Sequence, residues 1–381
     1  MSGVMLKIAV YGFLRVVLFV FPTIPVSWAM VVIVIGLLSA FFGVLSAVVE
    51  TDLKRLLAWS SIENLGLIFA MIGVGLAFQA VHINGDLFFV AALLHALNHT
   101  IFKSGLFLAA GAIISETHTR NLDEMGGLAK AWPVFSAAFL GLVLAAVALP
   151  PFGTFYGEWL FFQGLASMLT VSKSVGFLSG IVLSVTGLVG GLALFAFAKT
   201  FSAVFLSKPR TQHAEHVKPL TAFLVWPIVL AAAASAGVGL FAAPLAERLG
   251  TIFGASLHPL SLGTSLQTAD ATIVPAAIFA LFVALILVTM FFRRVCTASR
   301  PIRRTDTWDC GQPITARMEY TATGFAAPLL FFFRLLLLAR KTLSTELVSA
   351  SNPWIVRRRL TLIIQSPWEE YLYKPIVSFV L

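Results

Sequence analysis

Eight long apolar runs, separated by short polar loops, constrain this chain more than anything else in it. They lie near Val4–Val20, Trp28–Val49, Leu56–Phe78, Leu87–Ser115, Pro133–Met168, Val175–Leu206, Leu220–Leu245 and Ile273–Phe292. A helix needs about 20 apolar residues to cross the hydrocarbon core of a bilayer. The runs are continuous and do not alternate, which fits helices and not the strands of a barrel. In hydrocarbon each segment must satisfy its own backbone hydrogen bonds, and a helix does so. The chain is 59% hydrophobic and 11% charged, where a soluble domain carries about 25% charged residues. The expectation is an all-α integral membrane protein of about eight transmembrane helices. Its partner is the lipid bilayer, and the formal net charge of +9 is no nucleic-acid signal, because the basic residues cluster in connecting loops.

The fifth run is too long for one straight helix. It contains Leu149-Pro150-Pro151-Phe152-Gly153, and paired prolines remove backbone donors and break a helix. Loop charge separates one broken span from two short ones. Counted as one span, four basic loops fall on the same side. They carry Lys54 and Arg55; Arg120 and Lys130; Lys208, Arg210 and Lys218; and Arg293, Arg294, Arg300, Arg303, Arg304 and Arg317. The opposite loops hold only Lys173 and Arg248. Counted as two spans, the basic loops would split between both sides. The asymmetry selects one span interrupted at Pro150-Pro151, with the basic loops cytoplasmic. Residues 293–381 read as a cytoplasmic-face or interfacial segment: Phe325–Leu338 is short and interrupted by Pro328 and Arg334, and the run Arg357-Arg358-Arg359 follows.

Within Leu93–Ala110, an apolar run, His95, His99 and Lys103 recur at every fourth position. Each step of four turns the side chain by about 40°, so the three share one stripe about 12 Å long. Ionisable groups at lipid depth are expensive and face a bundle interior or a hydrated path. Histidine titrates near neutrality, so the stripe reads as a proton relay. A zinc site on His95 and His99 lacks the further Cys, Asp or Glu ligands it would use. Glu63 lies inside the third run beside Ser61 and Asn64, as a proton site or as half of a structural pair with a neighbouring helix. Glu158 follows the proline break, as a proton or cation site beside an unwound segment or as the structural partner of a nearby lysine. Lys7, in GVMLKIAVYG, is either a relay member or a lysine reaching for the interface. Lys199 reads as an interfacial lysine, and Glu50, Asp52, Lys54 and Arg55 as a solvated, salt-bridged helix start. Cys296 and Cys310 form no CxxC pair, and there is no phosphate loop or dinucleotide fingerprint. No cofactor, metal or catalytic role is expected. Met1 leads almost directly into an apolar helix and the chain stops inside an apolar run at Leu381, so both ends read as cut.

Four stretches, ETDLKRLLAWSSIENLGLIFAMIGVG, HALNHTIFKSGLFLAAGAI, THTRNLDEMGGLAKAWP and LPPFGTFYGEW, resemble the antiporter-like membrane subunits shared by respiratory complex I, cation/proton antiporters and membrane-bound hydrogenases. The SSIEN and HALNH wording, with TWDCGQP and ARMEYTATGFAAPL, resembles the hydrogenase 4 and formate hydrogenlyase branch. The resemblance implies a fold of two inverted five-helix repeats, each with one broken helix. Residues 1–20 would be the last helix of the first repeat, 28–206 the complete second repeat, and 220–292 two further helices. It implies that Lys7 lies on the central hydrophilic axis, that Lys103 is the channel lysine with His95 and His99, and that Glu158 is the acidic group at the broken helix. The first repeat's glutamate–lysine pair has no counterpart here. The implied function is proton translocation in a multi-pass bacterial inner-membrane subunit. Its partners would be other membrane subunits and, through them, a peripheral redox arm. A subunit of a sodium/proton antiporter complex and a truncated structural subunit are the alternatives.

Overall fold

A computed structural model describes residues 2–21, 23–206, 208–253, 265–268, 271–298, 311, 315–337, 340–347, 356–363 and 374–380. Cys310, Arg300, Arg303, Arg304 and most of the TWDCGQP motif lie outside the described residues. The chain divides into two units, Met1–Ala322 and Thr323–Leu381.

The first unit is a helical bundle. Its helices are α1 (Met5–Phe19), α2 (Val26–Val49), α3 (Leu53–Ala80), α4 (Asp86–Thr117), α5 (Leu128–Ala131), α6 (Pro133–Ala146), α7 (Gly153–Met168), α8 (Lys173–Phe201), α9 (Gln212–Glu215), α10 (Ala222–Leu240), α11 (Ala242–Thr251) and α12 (Pro275–Ala298). One two-residue antiparallel pair, Leu266–Gln267 with Thr272–Ile273, accompanies them. The boundaries follow local chemistry. Asp52 caps α3, its Oδ1 accepting from the amides of Lys54 and Arg55 at 2.8 and 3.0 Å. Glu50 pairs with Arg55 at 3.1 Å, so this helix start is the charged, capped junction that the sequence suggests. Ser172 caps α8 through the Val175 amide, and Pro133 opens α6 where a missing N–H is harmless.

Among the described residues six helices are long and apolar enough to cross a membrane: α2, α3, α4, α10, α12 through Cys296, and α8 with a π-helical extension to Leu206. The expected eighth-run count is met differently at three places. At 15 residues α1 is short of that length. The run 220–245 ends as a helix at Leu240 and turns into the separate α11. The fifth run is split into α6 and α7 at residues 147–152, around Pro150-Pro151. Packing shows that the two halves follow one line. Moving from Leu142 on α6 to Gly153, Gly157 and Gly164 on α7, the partners on α4 recede from Gly105 to Asn98, then to His95 and Ala91, then to Phe88 and Leu87. A pair of separate spans would have to turn back along α4. This progression is a single antiparallel crossing with a gap in its middle.

The centre of the bundle is α4, which packs against α3, α6, α7, α10 and α11. Close approach of α3 to α2 comes from small residues. A Cβ on Gly43 would lie 2.6 Å from the Glu63 amide nitrogen, so only glycine lets the helices meet beside the one carboxylate buried inside α3.

The second unit holds α13 (Ala322–Phe332), an antiparallel hairpin of Arg340–Leu347 with Val356–Ile363, and α14 (Lys374–Val380). Here the chain is extended and not helical: Arg357, Arg358 and Arg359 sit on a strand, paired with Glu346, Thr345 and Ser344. The reason lies in the residues around the arginines. Val356, Thr361 and Ile363, with Thr342 and Thr345 opposite, are β-branched and favour an extended chain.

Candidate functional site

The stripe on α4 faces the bundle interior. His95, His99 and Lys103 are each 0% exposed, and Glu63 on α3 is 2% exposed. Their helices bring them together because α3 and α7 flank the same face of α4. One turn of α4 spans His95 to His99 and the next reaches Lys103, so the spacing fixes the ladder. The flanking helices supply the groups that each rung meets.

At the upper rung, Nε2 of His95 lies 3.0 Å from Oδ1 of Asn64. The amide of Asn64 is oriented by a second bond, its Nδ2 donating to the Ser60 carbonyl at 2.8 Å. The Asn64 oxygen is therefore the atom presented to His95, and an oxygen only accepts. Nε2 must carry the hydrogen, which leaves Nδ1 of the neutral ring as an acceptor. That Nδ1 points to Oε1 of Glu158 at 3.9 Å. The gap is about 1 Å beyond an ordinary hydrogen bond. Gly157 permits the approach: a Cβ there would stand 3.1 Å from the Ala91 carbonyl oxygen and from the His95 amide nitrogen.

In the middle, His99 packs edge-on against Phe102 with ring centroids 5.1 Å apart. Among the described residues neither of its ring nitrogens has a hydrogen-bond partner. At the lower rung, the Lys103 ammonium donates to the Leu57 carbonyl at 3.1 Å and sits 5.6 Å above the Phe197 ring. Glu63 accepts from the Ser60 hydroxyl at 3.0 Å and interacts electrostatically with Lys103. Lys7, partly buried, donates to the Ser2 carbonyl at 2.7 Å. The Ser2 and Ser61 hydroxyls meet at 2.6 Å, and Lys7 lies within electrostatic reach of His95, His99 and Lys103. All six residues singled out in the sequence thus fall on one cluster. Such a cluster has the chemistry to pass protons: two carboxylates, two imidazoles and two amines converge on it from four helices, four of the six buried and Lys7 and Glu158 partly so.

Among the described residues no group of three or more His, Cys, Asp or Glu could hold a metal.

Three features escape the sequence reading. Lys199 is no interfacial lysine. It is 1% exposed, and its ammonium donates to the carbonyls of Ala47, Val48 and Glu50 at 3.3, 2.6 and 2.7 Å. It thereby satisfies the orphan carbonyls at the end of α2. Asn98 donates through Nδ2 to the Thr154 hydroxyl and accepts from the Ser235 hydroxyl at 2.9 Å. Asn64 fixes the His95 tautomer. Asn98 and Thr154 carry a faint sequence signal, each one turn from a residue of the site. Ser235, in a run of alanines, carries none.

Fold and site define a multi-pass membrane protein in which a broken helix packs on a histidine–lysine helix. Residues 1–187 match the model of the family described as NADH:quinone oxidoreductase/Mrp antiporter, TM. Hydrogenase-4 component B of Escherichia coli (strain K12) is 34% identical over 392 residues, covering 99% of this chain and 58% of the relative. Formate hydrogenlyase subunit 3 of the same organism is 34% identical over 374 residues, covering 95% and 59%. The chain thus spans less than two thirds of the length of these curated relatives. A similar fold occurs in the structure of the membrane-bound sulfane sulfur reductase, an archaeal respiratory membrane complex. There the TM-score is 0.72 at 20% identity, covering 100% of this chain and 57% of that one.

Proposed function

We propose that this chain carries a proton-transfer path of a redox-driven membrane complex of the hydrogenase-4, formate hydrogenlyase or NADH:quinone oxidoreductase type. Other membrane subunits and a peripheral redox arm are its partners, and the chain itself is a non-catalytic subunit. Residues 28–206 are the repeat that holds the path, and residues 1–20 close the preceding one. The observation that carries the reading is the buried series His95, His99, Lys103 and Glu63, flanked by the partly buried Glu158 and Lys7.

The proposed steps follow from the geometry. A protonated Glu158 carboxyl closes the remaining gap and donates to the free Nδ1 of His95. The imidazolium so formed releases a proton towards His99, one turn along α4. His99 is bonded to no protein group among the described residues, so its ring is free to take up and release a proton. Lys103, once it has released a proton and is a neutral amine, is the terminal acceptor, and Glu63 stabilises the ammonium that re-forms. Each transfer changes the charge beside the next group, and coupling between close buried sites makes them titrate as a set.

The test is Lys103→Met in the assembled complex in membrane vesicles. Loss of coupled proton translocation with redox turnover retained supports the reading. Translocation equal to wild type overturns it. The family description also covers Mrp antiporters, which favours a second reading as a sodium/proton antiporter subunit; sodium-driven proton movement without redox substrate would select it.

The setting follows from loop charge. The bacterial inner membrane is the host, and the loops bearing Lys54, Arg120, Lys130 and Lys208 face the cytoplasm. An impermeant maleimide should label Lys130→Cys only from the cytoplasmic face and Lys173→Cys only from the other. The reverse pattern refutes this orientation.

A further inference from the structure

We propose that Asn98, Thr154 and Ser235 form a clamp that positions Glu158 against His95, so that a helix outside the five-helix repeat, α10, sets the geometry of the transfer step. This rests on the reading of Glu158 and His95 as a donor–acceptor pair.

Two rungs connect α4 to α7. The first is His95 with Glu158, 3.9 Å apart and unbonded. The second is the bond from Asn98 to Thr154. Asn98 lies three residues from His95, and Thr154 lies four from Glu158, so each rung is one helical turn from the other. Thr154 belongs to the first turn of α7, immediately after the break, where preceding helical hydrogen bonds cannot hold the segment in place. A segment freed at a proline break takes its position from side-chain contacts. Asn98 supplies the polar one.

Both ends of the Asn98 amide are engaged. Its nitrogen donates to Thr154 and its oxygen accepts from Ser235 on α10 at 2.9 Å. Thr154, Asn98 and Ser235 are each 0% exposed, so no bulk water competes for these bonds. Ser235 locks the orientation of the amide, and the amide locks the start of α7. The close fit of α10 against the break reinforces this, since Gly239 packs on the Pro151 carbonyl. The 3.9 Å gap is therefore a set spacing, held one turn away.

The experiment uses the full chain in its complex, with Thr154→Val, Thr154→Ser and Ser235→Ala. Valine keeps the shape of threonine and removes the hydroxyl, while serine keeps the hydroxyl. The carboxyl C=O stretch of Glu158 is assigned by infrared difference spectroscopy as the band absent in Glu158→Gln. Thr154→Val and Ser235→Ala should each shift that band and lower coupled proton translocation. Thr154→Ser should restore both to wild type. An unshifted band in both variants overturns the clamp, as does a shift in Thr154→Ser equal to that in Thr154→Val. The band is read whether or not the complex pumps. Normal translocation in Glu158→Gln would sink the transport reading alone, and the clamp would still be judged on its own signal.

Discussion

Replacing Gly157 by alanine tests the idea that this residue permits the close approach of α7 to α4. The added methyl would meet the Ala91 carbonyl oxygen and the His95 amide nitrogen at 3.1 Å, and the His95 Cβ at 3.2 Å. Favourable non-bonded separations run from about 3.5 Å upward. Two of the three obstructing atoms are backbone, so no rotamer change relieves them, and α7 must retreat by a few tenths of an ångström. Overpacking of this kind costs about 1–3 kcal/mol. Alanine recovers about 0.5–1 kcal/mol of helix propensity over glycine. The net expectation is a loss of up to about 2.5 kcal/mol. Gly111 on α4 is the internal control, because a Cβ there has nothing within 4 Å. Gly111→Ala should gain the propensity term alone. Thermal unfolding of the two variants in detergent should therefore bracket the wild type, with Gly157→Ala below and Gly111→Ala at or above it. The retreat also widens the 3.9 Å gap between His95 and Glu158, so Gly157→Ala should slow coupled proton translocation and Gly111→Ala should not. Equal stability and equal translocation in the two variants would refute the argument that Gly157 permits this approach.

Two further outcomes follow from the same geometry. Lys199→Met leaves the carbonyls of Ala47, Val48 and Glu50 without their buried donor. Charge-assisted bonds are worth about 1.5–3 kcal/mol each, and relief of the buried charge offsets part of the loss, so about 2–4 kcal/mol of stability should disappear. Thermal unfolding measures it, and proton translocation per redox turnover should stay unchanged in the protein that remains folded. Asn64→Ala removes the acceptor that fixes the His95 ring. Solid-state NMR of labelled histidine should show the Nε2–H tautomer in wild type and a mixture in the variant; a mixture in both would contradict the tautomer assignment.

The division between what was legible and what was not is clearest along α4. A stripe of His95, His99 and Lys103 follows from spacing alone, because a helix fixes the rotation per residue. Its burial follows too, since ionisable groups cannot be left in lipid. Lys199 shows where this reasoning ends. Its place in the sequence, near a helix end, suggests interfacial reach, yet the end of α2 passes close enough to take its ammonium. The hairpin at Val356–Ile363 shows a second limit, since an arginine run in an apolar setting is compatible with helix or strand and the pairing partner decides.

By itself the sequence determined the helical membrane class, the interruption at Pro150-Pro151 and the inward face of α4. Each depends on chemistry within a single segment: apolar length, missing backbone donors, residues per turn. The tertiary structure alone decided that Glu158 faces His95, that Asn64 sets the tautomer of that ring, and that Asn98 joins the break to α10. Those pairings depend on how far one helix slides and how near it comes to the next, and small residues such as Gly157 and Gly43 set both only once the helices are packed.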